Sequence, residues 1–238
     1  MLRIGFDMDG VLADFDAAFR DVEVRLFGPA DHIEGGRPEK EEESQTAPEP
    51  PVADEEAEAK NRAVPPRLQR RRRDSIWRTI QSTPNFWETL EPAEPSVVGR
   101  VHDLMLRHRW EVFFITQRPA TEGETVQRQT QRWLVTQGFD LPSVLVIGGS
   151  RGAAAGALRL NYHIDDSLQN CIDVISDSKA RPILIVPDGD EATVVSARSL
   201  GIGTAASVSE CLDILEKASL ARSQPGLLQR IAAAVGWK

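Results

Sequence analysis

The chain has 238 residues, 41% of them hydrophobic and 27% charged, and its 36 acidic against 28 basic side chains give a net charge of −8. That balance argues against a dedicated nucleic-acid binder, which carries a basic face. Two cysteines, Cys171 and Cys211, are too few for a disulfide framework, and no run of about 18 apolar residues offers a membrane span. The N-terminus has no charged stretch leading into an apolar one, so no secretory signal is expected. A cytoplasmic globular protein with one core and an appendage is.

In chain order, Leu2-Arg3-Ile4-Gly5-Phe6 predicts a strand running into Asp7. Residues 35–73 then differ from everything around them. They hold six of the fifteen prolines and no aromatic residue, with acids early (Glu39 to Glu58) and bases late (Arg67, Arg70, Arg71, Arg72, Arg73). Such a stretch cannot bury enough apolar area to offset its ordering entropy, so it is expected to be disordered or weakly helical in places. Val97, Val98, Val101, Leu104 and Met105 recur at helical spacing, and Glu111–Ile115 follows as a buried strand. A helix over about Thr125–Gln137 stops at Gly138, a third strand spans Val144–Ile147, and the small residues of Gly152–Leu160 form a helix. Tyr162–Ile164 and Pro182–Val186 read as the fourth and fifth strands, and helices over Val208–Leu220 and Leu227–Val235 close the chain. Alternation of helices with continuously apolar strands predicts an α/β fold whose parallel sheet is covered on both faces. Right-handed crossovers then bring every strand C-terminus to one edge, where such folds bind ligands.

The strand ends are polar. Strand one ends in Asp7-Met8-Asp9-Gly10, strand two in Thr116 and strand four in Asp165-Asp166, while Arg151 opens the helix after strand three. Four carboxylates in one cleft repel one another unless a cation lies between them, and hard oxygen donors without His or Cys select magnesium. Since magnesium takes few protein carboxylates and commonly a phosphate, the edge reads as a phosphate site with a metal bridge. Asp7 is placed to attack phosphorus and Asp9 to exchange a proton with the leaving group. Thr116 can hydrogen-bond a phosphoryl oxygen, and Arg151 can neutralise developing charge.

Phe6-Asp7-Met8-Asp9-Gly10-Val11-Leu12-Ala13-Asp14 resembles the first motif of the haloacid dehalogenase superfamily. Phe114-Ile115-Thr116 resembles the second, Ser150-Arg151-Gly152 stands in the place of the third, and Ile164-Asp165-Asp166 resembles the fourth. Ser75-Ile76-Trp77 and Asn85–Pro92 are similar to the cap of the 5'(3')-deoxyribonucleotidases. The resemblance implies a Rossmann-like three-layer sandwich of residues 1–16 and 95–238, with a small helical cap region, 17–94, inserted after the first strand and containing the 35–73 insert. It implies a magnesium-dependent phosphatase for nucleoside monophosphates, with Asp7 as nucleophile and Asp9 as acid and base. Thr116, Gln117 and Arg151 would bind the phosphate. The metal set would be Asp7, Asp9, Asp165 and Asp166, with Asp166 the more direct ligand of the last pair. Two departures stand out: the third motif normally carries Lys where Arg151 stands, and Gln117-Arg118-Pro119 replaces a smaller sequence after Thr116.

Phe15, Trp77, Phe86 and Trp87 can stack on a nucleobase or pack in a core. His163 is expected to be a core histidine. Gly148–Gly152 lacks the pattern of an ATP-binding loop, and strand three carries no Asp at its end, which rules out a receiver domain. Alternatives left open are the same chemistry on another phosphate ester, transfer to an acceptor, and a binding or regulatory protein that does not turn over.

Overall fold

A computed structural model describes residues 1–29, 66–187, 190–221 and 235. The chain divides into two compact units, Met1–Phe15 with Thr83–Lys238, and Asp16–Ser82.

The larger unit is built on six parallel strands: β1 (Arg3–Phe6), β2 (Glu111–Thr116), β3 (Val144–Val146), β4 (Tyr162–Asp165), β5 (Arg181–Ile185) and β6 (Gly203–Ala205), in the order β3-β2-β1-β4-β5-β6. Because the order runs outward in both directions from β1 and β4, right-handed crossovers put helices on both faces. Alternate residues divide accordingly. Phe114 packs against Phe6 and edge-on against Phe139, while Ile115 joins Ala155, Leu160 and Val174 in a separate buried cluster. Gly5 faces Leu160 so closely that a Cβ would lie 2.6 Å from its side chain. The α/β sandwich expected from the apolar strand pattern is therefore present.

Its helices are α3 (Val97–His108), α4 (Val126–Thr136), α5 (Arg151–Ala157), α6 (Leu168–Asp177), α7 (Glu191–Ser199) and α8 (Val208–Ala221), and they follow α1 (Phe15–Phe27) and α2 (Pro66–Ser82) in the chain. The starts of α4, α5 and α6 are capped by Thr125, Ser150 and Ser167, whose side chains accept hydrogen bonds from main-chain N–H groups of the first turn. After α4 the chain turns at Gly138, with φ at +93°. Strand β6, α1, α2 and α7 were not anticipated from the sequence. The expected helix over Leu227–Val235 falls outside the described residues except for Val235.

In the smaller unit, α1 and α2 bury Phe19, Val22, Ile76 and Ile80, and Phe19 meets Trp77 edge-on at 5.9 Å. The Arg72 guanidinium lies over the Phe27 ring at 5.2 Å. Of the 35–73 stretch, expected to be disordered or weakly helical in places, residues 66–73 form the first turns of α2. Residues 35–65 lie outside the described ones. Of residues 17–94, those from Thr83 onward group with the sheet unit. There the main-chain N–H of Asp14 donates to Glu91, that of Ala93 to Leu12, and the Trp133 indole N–H to the Leu90 carbonyl.

Candidate active site

Asp7 follows β1 directly and is fully buried, its N–H donating to the Ile164 carbonyl. The chain then turns tightly. The N–H groups of Leu12 and Ala13 both reach the Met8 carbonyl, and Gly10 takes a φ of +79°. That turn brings Gly10 against Asp166, where a Cβ would stand 2.1 Å from a carboxylate oxygen. Glycine is thus required by backbone conformation and by close approach alike.

Parallel pairing of β1 with β4 carries Asp165 and Asp166 to the same edge. Asp7, Asp165 and Asp166 each offer an oxygen lying within 4.8 Å of the other two. Asp165 is buried and firmly held. It accepts from the Ser167 N–H at 2.9 Å, from the Asn170 amide at 2.9 Å and pairs with His163 Nε2 at 3.0 Å. Burial would raise its pKa, but the hydrogen bond and charge of His163, the charge of Arg151 and the Asn170 amide outweigh it and lower it overall. Asp166, by contrast, is exposed.

Arg151, the first residue of α5, points inward with 1% of its surface exposed. Its Nη2 donates to Asp7 at 2.5 Å, and its Nε stands 3.7 Å from Asp165. Nη1 has no hydrogen-bond partner among the described residues, and neither has the buried hydroxyl of Thr116 at the end of β2. A buried donor without a partner is costly, so these two atoms mark where a polar ligand would be accommodated. Gln117 follows Thr116 half-buried.

The Asp9 side chain stands apart from the three-carboxylate group. Arg118, whose side chain is fully buried, grips it: Nε donates to both carboxylate oxygens at 3.1 and 3.0 Å, and Nη2 to one of them at 2.6 Å. The sequence marked Arg118 only as part of the Gln117-Arg118-Pro119 departure after Thr116, because that loop has no periodicity to show which way its cation points.

The four aromatics are occupied. Phe15, Phe86 and Trp87 are at most 7% exposed and pack on one another, with centroid distances of 5.7 Å for Phe15–Trp87 and 5.2 Å for Phe86–Trp87. Trp87 also carries the Arg118 guanidinium at 4.7 Å. Trp77 is buried against Phe19 in the other unit. Of the two readings open for these rings, the structure shows the packing: neighbouring rings and a cation lie against them. His163 is fully buried, as expected. Cys171 is buried too, which pushes its thiol pKa up and leaves it inert.

The donor set fits magnesium: three carboxylates and no nitrogen or sulfur ligand, with a side-chain-free Gly10 leaving the room Asp166 needs. No family model matches the chain, and no curated protein matches it. Among solved structures, a protein described as a beta-phosphoglucomutase from Thermotoga maritima is similar at 16% identity and a TM-score of 0.49, over 91% of this chain and 99% of that one. A family IA haloacid dehalogenase hydrolase from Entamoeba histolytica is similar at 10% identity and a TM-score of 0.40, over 82% and 89%. A haloacid dehalogenase-like hydrolase from Xanthomonas campestris is similar at 15% identity and a TM-score of 0.38, over 82% and 95%. At these values the residues of the sheet edge, and not the likenesses, carry the functional reading.

Proposed function

We propose that this chain is a magnesium-dependent phosphomonoester hydrolase acting on (deoxy)nucleoside monophosphates. One observation carries the proposal: Asp7, Asp165 and Asp166 converge at the sheet edge beside Arg151 Nη1 and the Thr116 hydroxyl, two buried donors with no partner of their own. Three oxygen ligands with two donors for an anion suit a phosphate ester held against a divalent cation.

Asp7, Asp165 and Asp166, with the main-chain carbonyl of Asp9, would hold the ion, which when bound supplies positive charge against the phosphoryl oxygens. A carboxylate oxygen of Asp7 forms a bond to phosphorus as the ester P–O bond breaks, and Asp9 gives its proton to the departing alkoxide. Asp9 then takes a proton from water, whose oxygen attacks phosphorus and releases Asp7 and inorganic phosphate. Arg151 and Thr116 orient the phosphoryl group through both steps and offset its charge. Arg151 in the place of a lysine keeps the charge and adds a planar fork, enough to touch Asp7 while a second N–H faces the substrate.

The nucleotide is the finer part of the proposal. It rests on the likeness of residues 75–77 and 85–92 to the nucleotidase cap, and the four packed aromatics are given no part in it. The test is phosphate release from nucleoside 5'- and 3'-monophosphates, sugar phosphates and p-nitrophenyl phosphate, with and without magnesium. Release that needs magnesium, is highest on nucleotides and disappears in Asp7→Asn is the expected result. Release spread evenly over all esters would overturn the nucleotide assignment, and none from any ester would overturn the hydrolase.

A further inference from the structure

Arg118 has no part in the chemistry so far. Its guanidinium is buried and fixed on three sides: both oxygens of Asp9 in front, the Thr130 hydroxyl at 3.0 Å from Nη1, and the face of Trp87 at 4.7 Å. Each support is itself held. The Trp87 indole N–H donates to the Pro119 carbonyl at 3.0 Å, and its main-chain N–H donates to the Gln129 side chain at 3.1 Å. Helix α4 supplies both Gln129 and Thr130, so one rigid element sets the position of the whole assembly.

Stability alone does not account for this arrangement. A buried ion pair is often replaced by apolar side chains without loss, since the desolvation of two charges consumes most of their attraction. What the assembly does provide is a fixed place for a carboxylate that would otherwise turn about two side-chain torsions. It also holds that carboxylate away from Asp7, Asp165 and Asp166, which have an oxygen each within 4.8 Å of the others.

We propose that Arg118, backed by Thr130 and Trp87, is a positioning residue that aims the Asp9 carboxylate at the leaving-group oxygen and keeps it out of the cation's ligand set. The inference rests on the hydrolase reading above. Its signature is dependence on the leaving group. An alkoxide departs poorly without a proton, so a misaimed Asp9 slows nucleotide hydrolysis. A p-nitrophenolate departs readily without one, so kcat/KM on the aryl ester, which reads only as far as that departure and not the later water step shared by both esters, is largely spared.

The test compares wild type, Arg118→Lys, Arg118→Met, Thr130→Val, Asp9→Asn and the double variant Asp9→Asn/Arg118→Met on a nucleoside 5'-monophosphate and on p-nitrophenyl phosphate. Arg118→Met is expected to lower kcat/KM about 100-fold on the nucleotide and less than about 10-fold on the aryl ester, the span a general acid contributes. Thr130→Val shifts the same ratio less, Arg118→Lys falls between, and the double variant is no slower than Asp9→Asn alone. Equal losses on both esters, or losses that multiply in the double variant, would overturn the proposal. If Arg118→Met does not fold, the ratio measured in Thr130→Val decides. If the wild type hydrolyses neither ester, the hydrolase reading falls by itself, and crystals decide the positioning. An Asp9 carboxylate displaced by more than about 1 Å in Arg118→Met but not in Arg118→Lys upholds it, a displacement large enough to misplace a reacting group. An unmoved carboxylate overturns it.

Discussion

Gly10→Ala perturbs the site at one methyl group, and its two effects separate cleanly. The first is conformational: Gly10 has a φ of +79°, a region that costs an L-residue about 1–2 kcal/mol. In a protein of this size that lowers Tm by about 2–8 °C, at roughly 2–4 °C per kcal/mol. The second is steric. The new Cβ would stand 2.1 Å from Asp166 Oδ2 and 2.7 Å from its Cγ, and real contacts begin at 3.0 Å. Because Asp166 is exposed, it can swing away, so the collision is relieved by moving the carboxylate rather than the fold. Magnesium tolerates little departure from ideal geometry, so a displaced ligand should weaken its binding by about 10-fold or more.

Calorimetric titration with magnesium chloride and thermal unfolding read the two effects in the same samples. The decisive arm is a double-mutant cycle with Asp166→Ala, which removes the colliding atoms. In that background Gly10→Ala should still lower Tm but should no longer change magnesium affinity, so the two substitutions are coupled in binding and nearly additive in stability. An unchanged magnesium affinity for Gly10→Ala alone would refute the assignment of Asp166 as a ligand. An unchanged Tm would refute the conformational argument.

Asp7→Asn should abolish phosphate release while leaving the fold intact, because an amide is a poor nucleophile; turnover within about 10-fold of wild type would exclude an aspartyl-phosphate route. Arg151→Met should destabilise the protein by about 3–5 kcal/mol, as it strips the buried carboxylates Asp7 and Asp165 of their cation. Arg151→Lys should recover most of that in urea unfolding, and equal losses for both variants would show that shape rather than charge is needed. Far from the site, the His108 hydrogen bond, aided by the charges of His108 and Arg107, holds the Glu216 carboxyl below its ordinary 4.5 despite some opposing burial. A lowered folded-state pKa contributes stability above the unfolded value that is lost as pH falls below it. Glu216→Gln should therefore cost about 1 kcal/mol or less at pH 7 and less than that at pH 3, measured by urea unfolding. The same loss at both pH values would contradict the ion pair.

The parts of the fold that were legible are those whose residues report burial directly. Ile4 and Phe6, Phe114 and Ile115, and Ile183 and Leu184 stand in runs that only a sheet covered on both faces explains, and all are at most 1% exposed. Strand β6 is Gly-Thr-Ala, with no apolar run to mark it, and owes its state to main-chain pairing with β5. Helix α2 was hidden by composition. Its arginines lie in a stretch without aromatic residues, yet arginine is a good helix former, and Ile76, Trp77 and Ile80 bury one face while Arg67, Arg70 and Arg71 extend the helix on the exposed side. The site divides in the same way. Asp7, Thr116, Arg151, Asp165 and Asp166 could be gathered from sequence because topology alone brings strand ends together. The partner of Asp9 could not, since the Arg118–Thr130–Trp87 assembly joins a loop, a helix and a short 3-10 turn, Phe86–Glu88, that are far apart in sequence. The aromatics stayed open for a related reason: composition shows that a ring is present but not whether another ring already covers it.

The two arginines also divide the labour of charge at this edge. Arg118 is committed to Asp9, while Arg151 is shared between Asp7 and Asp165, and Asp166 lies at the exposed rim. Four carboxylates against two guanidinium groups leave two negative charges, concentrated in the group of three, which one divalent cation would balance. A phosphate ester brings about two negative charges back into a buried setting, and the donors it would meet are the Thr116 hydroxyl and Arg151 Nη1, already buried and without partners. Without the cation, that ester would enter a site carrying its own sign of charge. With it, the net charge of ester, ion and surrounding residues falls from about four negative to about two, a difference worth far more in a low-dielectric cleft than in water. Under the proposed function the cation would therefore be a condition of substrate binding as well as of turnover, and Arg118 would matter because a free Asp9 would compete for the same ion.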